Sequence, residues 1–458
     1  MDDVKKKEGG MKRLAVIVTI ILIMGMLLST QAVAEEAAAD PNYSGDFWSR
    51  STMTGDWGGM RNEWAKKGVT VDMSLTQTEM SVVSGGKNHD WEYSGRGNVT
   101  INVDTQKLGL WPGGFLTVEV EGNYNRSINL DTGALSPVNT NQLFPMPGDE
   151  GLNIPAVTFM QFLSHNFGIV LGKLDTTSGD ANEFAHGKGD KQFFNMAFNL
   201  NPALLLTSPN SVLGGGIIIL PTKDPDQAII SALVFDSNGK ANTSGFDTAF
   251  EGDNTYVTEG RVRTNFFGMT GHQLLGAAYS TKEFTSLGQD TLLMFKGIVQ
   301  NRELTTEKED NSWAVYYNFD QYLYEPEKGQ GIGIYGRFGA SDGDANPVHY
   351  FYSLGIGGKG VFKNRPNDAF GVGFYYMDIS NPKLTGIFKD REFLQDEYGV
   401  EAYYNIAITP WMKLTPDIQI IRAAQEDSVS LTSIVPPVIT RESLDTVTVL
   451  GLRLQLIF

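Results

Sequence analysis

The chain has no cysteine, so a disulfide scaffold and thiolate chemistry are excluded outright. Basic residues are also scarce: 36 Lys and Arg stand against 53 Asp and Glu, for a formal net charge of -17. A nucleic-acid partner would need Lys and Arg to neutralise phosphate, so the acidity argues against that class. The five histidines (His89, His165, His186, His272 and His349) are scattered, with no i, i+4 pair to hold a metal. No GxSxG elbow occurs. Long apolar runs are missing everywhere but one place.

That place is the N-terminus. Lys5, Lys6, Lys7, Lys12 and Arg13 precede the charge-free apolar run Leu14 to Leu28, and Gln31-Ala-Val-Ala34 follows with an Ala-x-Ala pattern. This is the three-part plan of a secretory signal peptide, cleaved after Ala34. A membrane anchor is the rival reading, but 15 residues is short against the ~20 that a spanning helix needs. Met11 is an alternative start. Residues 1–34 carry a net +2, so residues 35–458 stand at -19.

What remains is dominated by a period of two. From Thr446 to Phe458 the even positions run Thr, Thr, Leu, Leu, Leu, Leu, Phe, while Arg453 and Gln455 occupy odd ones. Successive side chains of a strand point to opposite faces, so one face is hydrocarbon and the other polar. The same alternation recurs at Val69–Leu75, Val99–Val103, Leu116–Val120, Tyr256–Thr264, Trp313–Asp320, Ile332–Phe338 and Val400–Ile408. Turns rich in Gly, Asn, Asp and Pro separate the runs.

A barrel that is apolar outside and polar inside fits this pattern, together with 51 glycines and 11% aromatics. A secreted soluble β protein such as a lectin shares those totals. No linker divides residues 35–458, which predicts one all-β domain: a transmembrane antiparallel β-barrel. One short helix is expected at about 56–67, with Asp56 as cap and Gly68 as its left-handed end. At Met80 and Val82 the apolar phase flips, which predicts a bulge that aims Glu79 inward. Asn125–Asn153 and Asp175–Asn210 lack alternation and are expected to be long loops, one of them folding into the lumen.

Motifs for catalysis are weak. Gly355-Ile-Gly-Gly-Lys-Gly360 matches GxGxxG literally, but no βαβ unit surrounds it. Asp342-Gly-Asp-Ala-Asn346 resembles the start of a calcium loop without the later ligands, and a turn explains it more simply. Glu119 and Glu121 share a strand face, as glycosidase carboxylates sometimes do. Acids lining a wet wall are the simpler account. An outer-membrane barrel hydrolase remains the alternative from another class. No cofactor or metal is expected.

Several segments resemble a known family, the carbohydrate-selective porins of the OprB type. Thr54-Gly-Asp-Trp-Gly-Gly-Met-Arg61 with Lys67-Gly-Val69 is similar to the family's opening. Leu171-Gly-Lys-Leu-Asp175 with Gly179-Asp-Ala-Asn-Glu-Phe-Ala185 resembles a second segment, and Gly336-Arg-Phe-Gly-Ala-Ser-Asp-Gly-Asp-Ala-Asn-Pro347 a third. Glu401-Ala-Tyr-Tyr404, Thr409-Pro-Trp411 and the closing Leu450-Gly-Leu-Arg-Leu-Gln-Leu-Ile-Phe458 complete the ordered set. The resemblance implies 16 antiparallel strands in the outer membrane of a Gram-negative bacterium, passing mono- or oligosaccharides into the periplasm. The low arginine count and long middle loops depart from the glucose-type members, leaving a general diffusion porin as the nearest alternative. Lipid is the expected surroundings, and a homo-oligomer is compatible with the sequence.

A selective pore must replace a sugar's hydration with hydrogen bonds weak enough to release. By alternation Glu79, Arg96, Glu119, Arg261, Arg263 and Arg337 are expected to line the lumen, with Arg96, Glu119 and Arg337 near the constriction and Tyr335 as an aromatic contact.

Overall fold

The computed structural model describes residues 41–144, 151–249, 252–290, 306–385, 394–434 and 437–458; the signal-peptide reading falls outside them. Sixteen strands form a closed barrel in which every neighbour in sequence is a neighbour in space. They are β1 Val69–Ser84, β2 Trp91–Asp104, β3 Gly114–Tyr124, β4 Leu152–Phe162, β5 Phe167–Asp175, β6 Ser211–Ile219, β7 Ala228–Asp236 and β8 Asn254–Phe266. The circuit continues with β9 Met269–Ser280, β10 Ser312–Glu327, β11 Gln330–Ser341, β12 Val348–Lys359, β13 Ala369–Ile379, β14 Glu397–Thr409, β15 Met412–Arg422 and β16 Val447–Ile457. β16 pairs antiparallel with β1, so no edge remains exposed.

Connections are short at one end of the barrel, as at 267–268, 328–329 and 410–411, and long at the other. These are called the turn end and the loop end below. On β16 Val447, Val449, Arg453 and Gln455 are buried within, while Leu450 and Leu452 are exposed on the outside, as the alternation predicts.

The predicted helix is α1, Met60–Lys66, preceded by a single tight turn at Trp57–Gly59. The Asp56 carboxylate accepts the Asn62 amide at 2.7 Å, and Gly68 takes φ 83°. The helix lies at the turn end and is tied to the seam of the barrel by Arg61. Its Nη1 donates to the Phe458 carbonyl at 2.9 Å and its Nη2 to Val71 at 2.5 Å.

Glu79 corrects the reading of β1. Pairing with β2 runs without a shift from Val69 to Ser81, so Thr76, Thr78, Met80 and Val82 face inward, and Gln77 and Glu79 outward. The irregularity in this strand falls later, between Val82 and Ser84 on the β16 side. Apolar residues face inward here because they meet Ile128, Val138 and Phe194 of inserted loops. Glu79 is therefore no pore-lining residue. Glu79→Leu is expected to leave single-channel conductance unchanged; a shifted conductance would return this carboxylate to the lumen.

Candidate functional site

Two loops at the loop end enter the barrel. The first insert joins β3 to β4 and carries short helical turns at Asn129–Thr132 and Thr140–Leu143. The second joins β5 to β6 and carries turns at Thr176–Ser178, Met196–Asn199 and Pro202–Thr207. Asn195 and Asn201 cap the last two by accepting the amides of Ala197 and Ala203, which is why an Asn-rich stretch turns where it does.

The second insert is seated on β10–β15 by aromatic rings in glycine recesses. Phe193 lies 4.6 Å from Phe198 and 4.8 Å from Tyr403 between ring centroids, and Phe184 lies 4.8 Å from Tyr322. The wall beneath is cleared of side chains. A Cβ at Gly357 would meet Phe184 at 2.7 Å, one at Gly371 would meet Phe193 at 2.6 Å, and one at Gly373 would meet Phe198 at 2.5 Å. The GxGxxG match is thus a strand whose inward glycines make room for an insert. Asp342, in the calcium-like stretch, accepts the amides of Asp344, Ala345 and Asn346 and forms a capped turn. Among the described residues no group of three or more His, Asp or Glu side chains could hold a metal ion.

Inward arginines and carboxylates grip the same loops. Arg337 donates to the Asp180 carboxylate at 2.8 Å and to the carbonyls of Phe198 at 2.9 Å, Asp180 at 3.1 Å and Ala185 at 2.5 Å. Arg453 donates to the Gly189 carbonyl at 2.5 Å and the Gln192 carbonyl at 2.9 Å. Glu401 accepts the amides of Phe194 and Asn195, and Glu397 those of Leu135 and Ser136. Alternation put Arg453 on the polar face, but sequence reasoning named none of Arg453, Glu397 and Glu401 as a site residue. Their partners lie more than two hundred residues away in the chain, so no local signal marks them.

Arg96 is the centre of a second node. It pairs with Glu121 at 2.5 Å and Asp190 at 3.1 Å, and lies 3.7 Å from Glu119. Lys188 bridges to Asp175 and lies 3.7 Å from Glu119, which also accepts from Asn98 at 2.6 Å. Burial alone would depress the Lys188 ammonium; Asp175 and Glu119 outweigh it and hold its pKa above the ordinary lysine value. Glu119, Lys188 and Asp190 keep about a sixth of their side-chain surface open, whereas Arg96 keeps 2%.

The expected site residues thus fall into three groups. Arg96, Arg337 and Tyr335 face inward but are buried beneath the inserts, Tyr335 with 0% exposure. Glu119, Arg261 and Arg263 face inward and stay partly open. Glu79 faces outward.

His186, on the second insert, is held neutral. Burial, then Arg337, Lys188 and Lys191, lower its pKa from 6.5 to about 4. A released loop would bind the proton that the seated loop refuses. The seated state therefore has its full advantage above pH 6.5 and loses it as pH falls towards 4, by at most about 3 kcal/mol. Proteolysis within residues 176–210 is expected to be faster at pH 5 than at pH 7, and His186→Gln is expected to reduce the difference. An unchanged pH response in that variant would contradict this.

Comparison with known proteins places this geometry. A family model described as carbohydrate-selective porin, OprB family, matches residues 88–458. The protein named "Putative porin QuiX" of Acinetobacter baylyi is 22% identical over 418 residues, covering 82% of this chain and 90% of its own. Porin B of Pseudomonas aeruginosa is 24% identical over 168 residues, 34% of this chain and 37% of its own length. The high-pH structure of Pseudomonas putida OprB superposes with a TM-score of 0.72 at 18% identity, covering 90% of this chain and all of that one. The match spans far more than half of the sequence and the closed 16-strand barrel agrees with it: the chain belongs to the carbohydrate-selective porin family of the OprB type, a family of outer-membrane channel barrels.

Proposed function

We propose that this porin, exported by its N-terminal segment, passes small polyhydroxylated solutes, monosaccharides first among them, down their gradient through the part of the lumen that the inserts leave open. Glu119, Arg261 and Arg263 are the polar rungs of that path. Arg96, Arg337 and Tyr335 act on it indirectly by holding the inserts that narrow it.

The observation that carries this reading is the contrast between arginines. Arg337 and Arg453 spend their donors on the inserts. Arg261, on the partly open wall of β8, makes no hydrogen bond or ion pair among the described residues; its Nε is buried, so the outer guanidinium nitrogens are the donors left to a solute, with Glu259 within electrostatic range. Glu259 and Arg263 flank it on the same inward face. A guanidinium free to donate to hydroxyls and to release them is what saturable passage of a neutral, hydrated solute requires.

Such a hydrogen bond contributes about 1.5–3 kcal/mol, so Arg261→Ala is expected to weaken current block by glucose roughly tenfold or more. Retained heat-modifiable gel mobility would show the barrel intact. Undiminished block in that variant would remove Arg261 from the path. Flux that follows solute size alone in the parent protein would make it a general diffusion porin.

A further inference from the structure

The geometry points to a second solute site near the turn end of the lumen: an anion site formed by Lys191, Lys359 and Lys413, which selects hydroxylated solutes bearing a carboxylate or phosphate. It rests on the channel reading above and narrows its substrate class.

Three elements bring these lysines together. Asn405, inward on β14, donates from Nδ2 to the Lys191 carbonyl at 2.9 Å and so fixes the tip of the second insert over the wall. Asn405 is in register with Ala369 on β13, which is in register with Lys359 on β12. Lys359 therefore stands two strands away in the same row, about 10 Å across the sheet. Lys413, the second residue of the neighbouring strand β15, lies opposite Ala407, two residues beyond Asn405 on β14. It shares the inward face with Thr415 and Asp417. Lys191, Lys359 and Arg453 are the charges that act on Lys413.

None of the three ammonium groups makes an ion pair or hydrogen bond among the described residues, and Lys191 and Lys359 are exposed. Neighbouring carboxylates face other groups. Asp368 accepts from Arg365, Tyr404 and the Ala407 amide. Asp417 accepts from Gln419 on Oδ1; its Oδ2 is buried without a hydrogen-bond partner, and the side chains that act on it are Glu401, Gln419 and Arg453 rather than the lysines. Asp72 on β1 lies within electrostatic range of Lys191 without pairing to it. Like charges converging on one narrow stretch of the lumen repel, and an anion that joins them relieves the repulsion. In a chain of net charge -17 such an unneutralised group is unlike its surroundings. Rings of Lys or Arg are how pores favour anions, by concentrating them locally and sharing the charge over several donors. Three donor-rich ammonium groups suit a carboxylate or phosphate, and the hydroxyls of the same solute can engage the rungs above.

The test uses the refolded full chain in planar bilayers, with a KCl gradient for ion selectivity and added gluconate, glucose 6-phosphate or glucose for block. Gluconate and glucose 6-phosphate applied from the turn end are expected to block at concentrations roughly tenfold below glucose. The triple variant Lys191→Gln, Lys359→Gln, Lys413→Gln is expected to abolish that difference and lower the chloride-to-potassium permeability ratio roughly fivefold. Block by gluconate alone would assign the site to carboxylates, and block by glucose 6-phosphate alone to phosphates. Should the triple variant refold poorly, Lys359→Gln at the strand end carries the same test with a smaller change. Unaltered selectivity and undiminished anion block in the variants would overturn the site while leaving sugar block, and the channel reading, in place. A parent protein without conductance would overturn both.

Discussion

Arg337→Ala is expected to release the second insert and raise single-channel conductance several-fold, while the barrel itself stays folded. The guanidinium is buried with 0% side-chain exposure, and its partner Asp180 has 1%. Removing one partner of such a pair leaves an uncompensated buried charge, at a cost of about 3–5 kcal/mol. The same substitution deprives the carbonyls of Phe198, Asp180 and Ala185 of their donor. The barrel wall has its own closed hydrogen-bond ladder, so the insert is the element that yields. Protease cleavage within residues 176–210 is expected to rise together with conductance, and Arg337→Lys is expected to restore little, because an ammonium cannot reproduce the planar fork. Unchanged conductance with a lowered melting temperature would instead make Arg337 a wall-stabilising residue.

Gly373→Val is expected to have the second-largest effect, by a steric route. Its new Cβ would meet the Phe198 ring at 2.5 Å and would also run into the Tyr335 hydroxyl. Phe198 packs at 5.6 Å from the Tyr375 ring, so its displacement disturbs a cluster rather than one contact. Overpacking of this kind costs about 1–3 kcal/mol, and it falls on the seating of the insert. The expected readout is a larger and noisier conductance with retained heat-modifiable mobility. Gly97, whose Cβ would meet nothing within 4 Å, is the control position, where Gly97→Val should leave the current as it was. Equal behaviour of the two variants would argue against glycine recesses as the seat of the loop.

These two positions also show what was legible in the sequence. Alternation placed Arg337, Arg453 and Tyr335 on the inward face correctly, because the strand period is a local property of the chain. It could not show that Arg337 is covered, since Asp180 and Phe198 are well over a hundred residues away in sequence. Glu79 was misplaced for a related reason. The rule that apolar residues face lipid fails wherever an insert supplies an apolar surface inside the barrel, as Ile128, Val138 and Phe194 do for Met80 and Val82. A usable signal did exist. Gly355, Gly357, Gly371 and Gly373 sit on the polar phase of two strands, two residues apart. Glycines repeated at inward positions mark a wall against which another backbone or ring must lie. Asn195 and Asn201 before short helical turns were a second signal, of the capping kind.

The charged node around Arg96 was half legible. Glu119 and Glu121 were correctly placed on one inward face, and a wet acidic wall was the simpler reading. Asp190 and Lys188, which complete the node, come from the insert and have no periodicity to betray them.

The current carried by single refolded channels as sugar is titrated in is the most direct test of a selective pore. If the inserts narrow the lumen to a site that exchanges hydration for hydrogen bonds, glucose will reduce the current saturably and size-matched polyols will not. A conductance that falls only with solute size would contradict a selective site, and the absence of any conductance would contradict the channel.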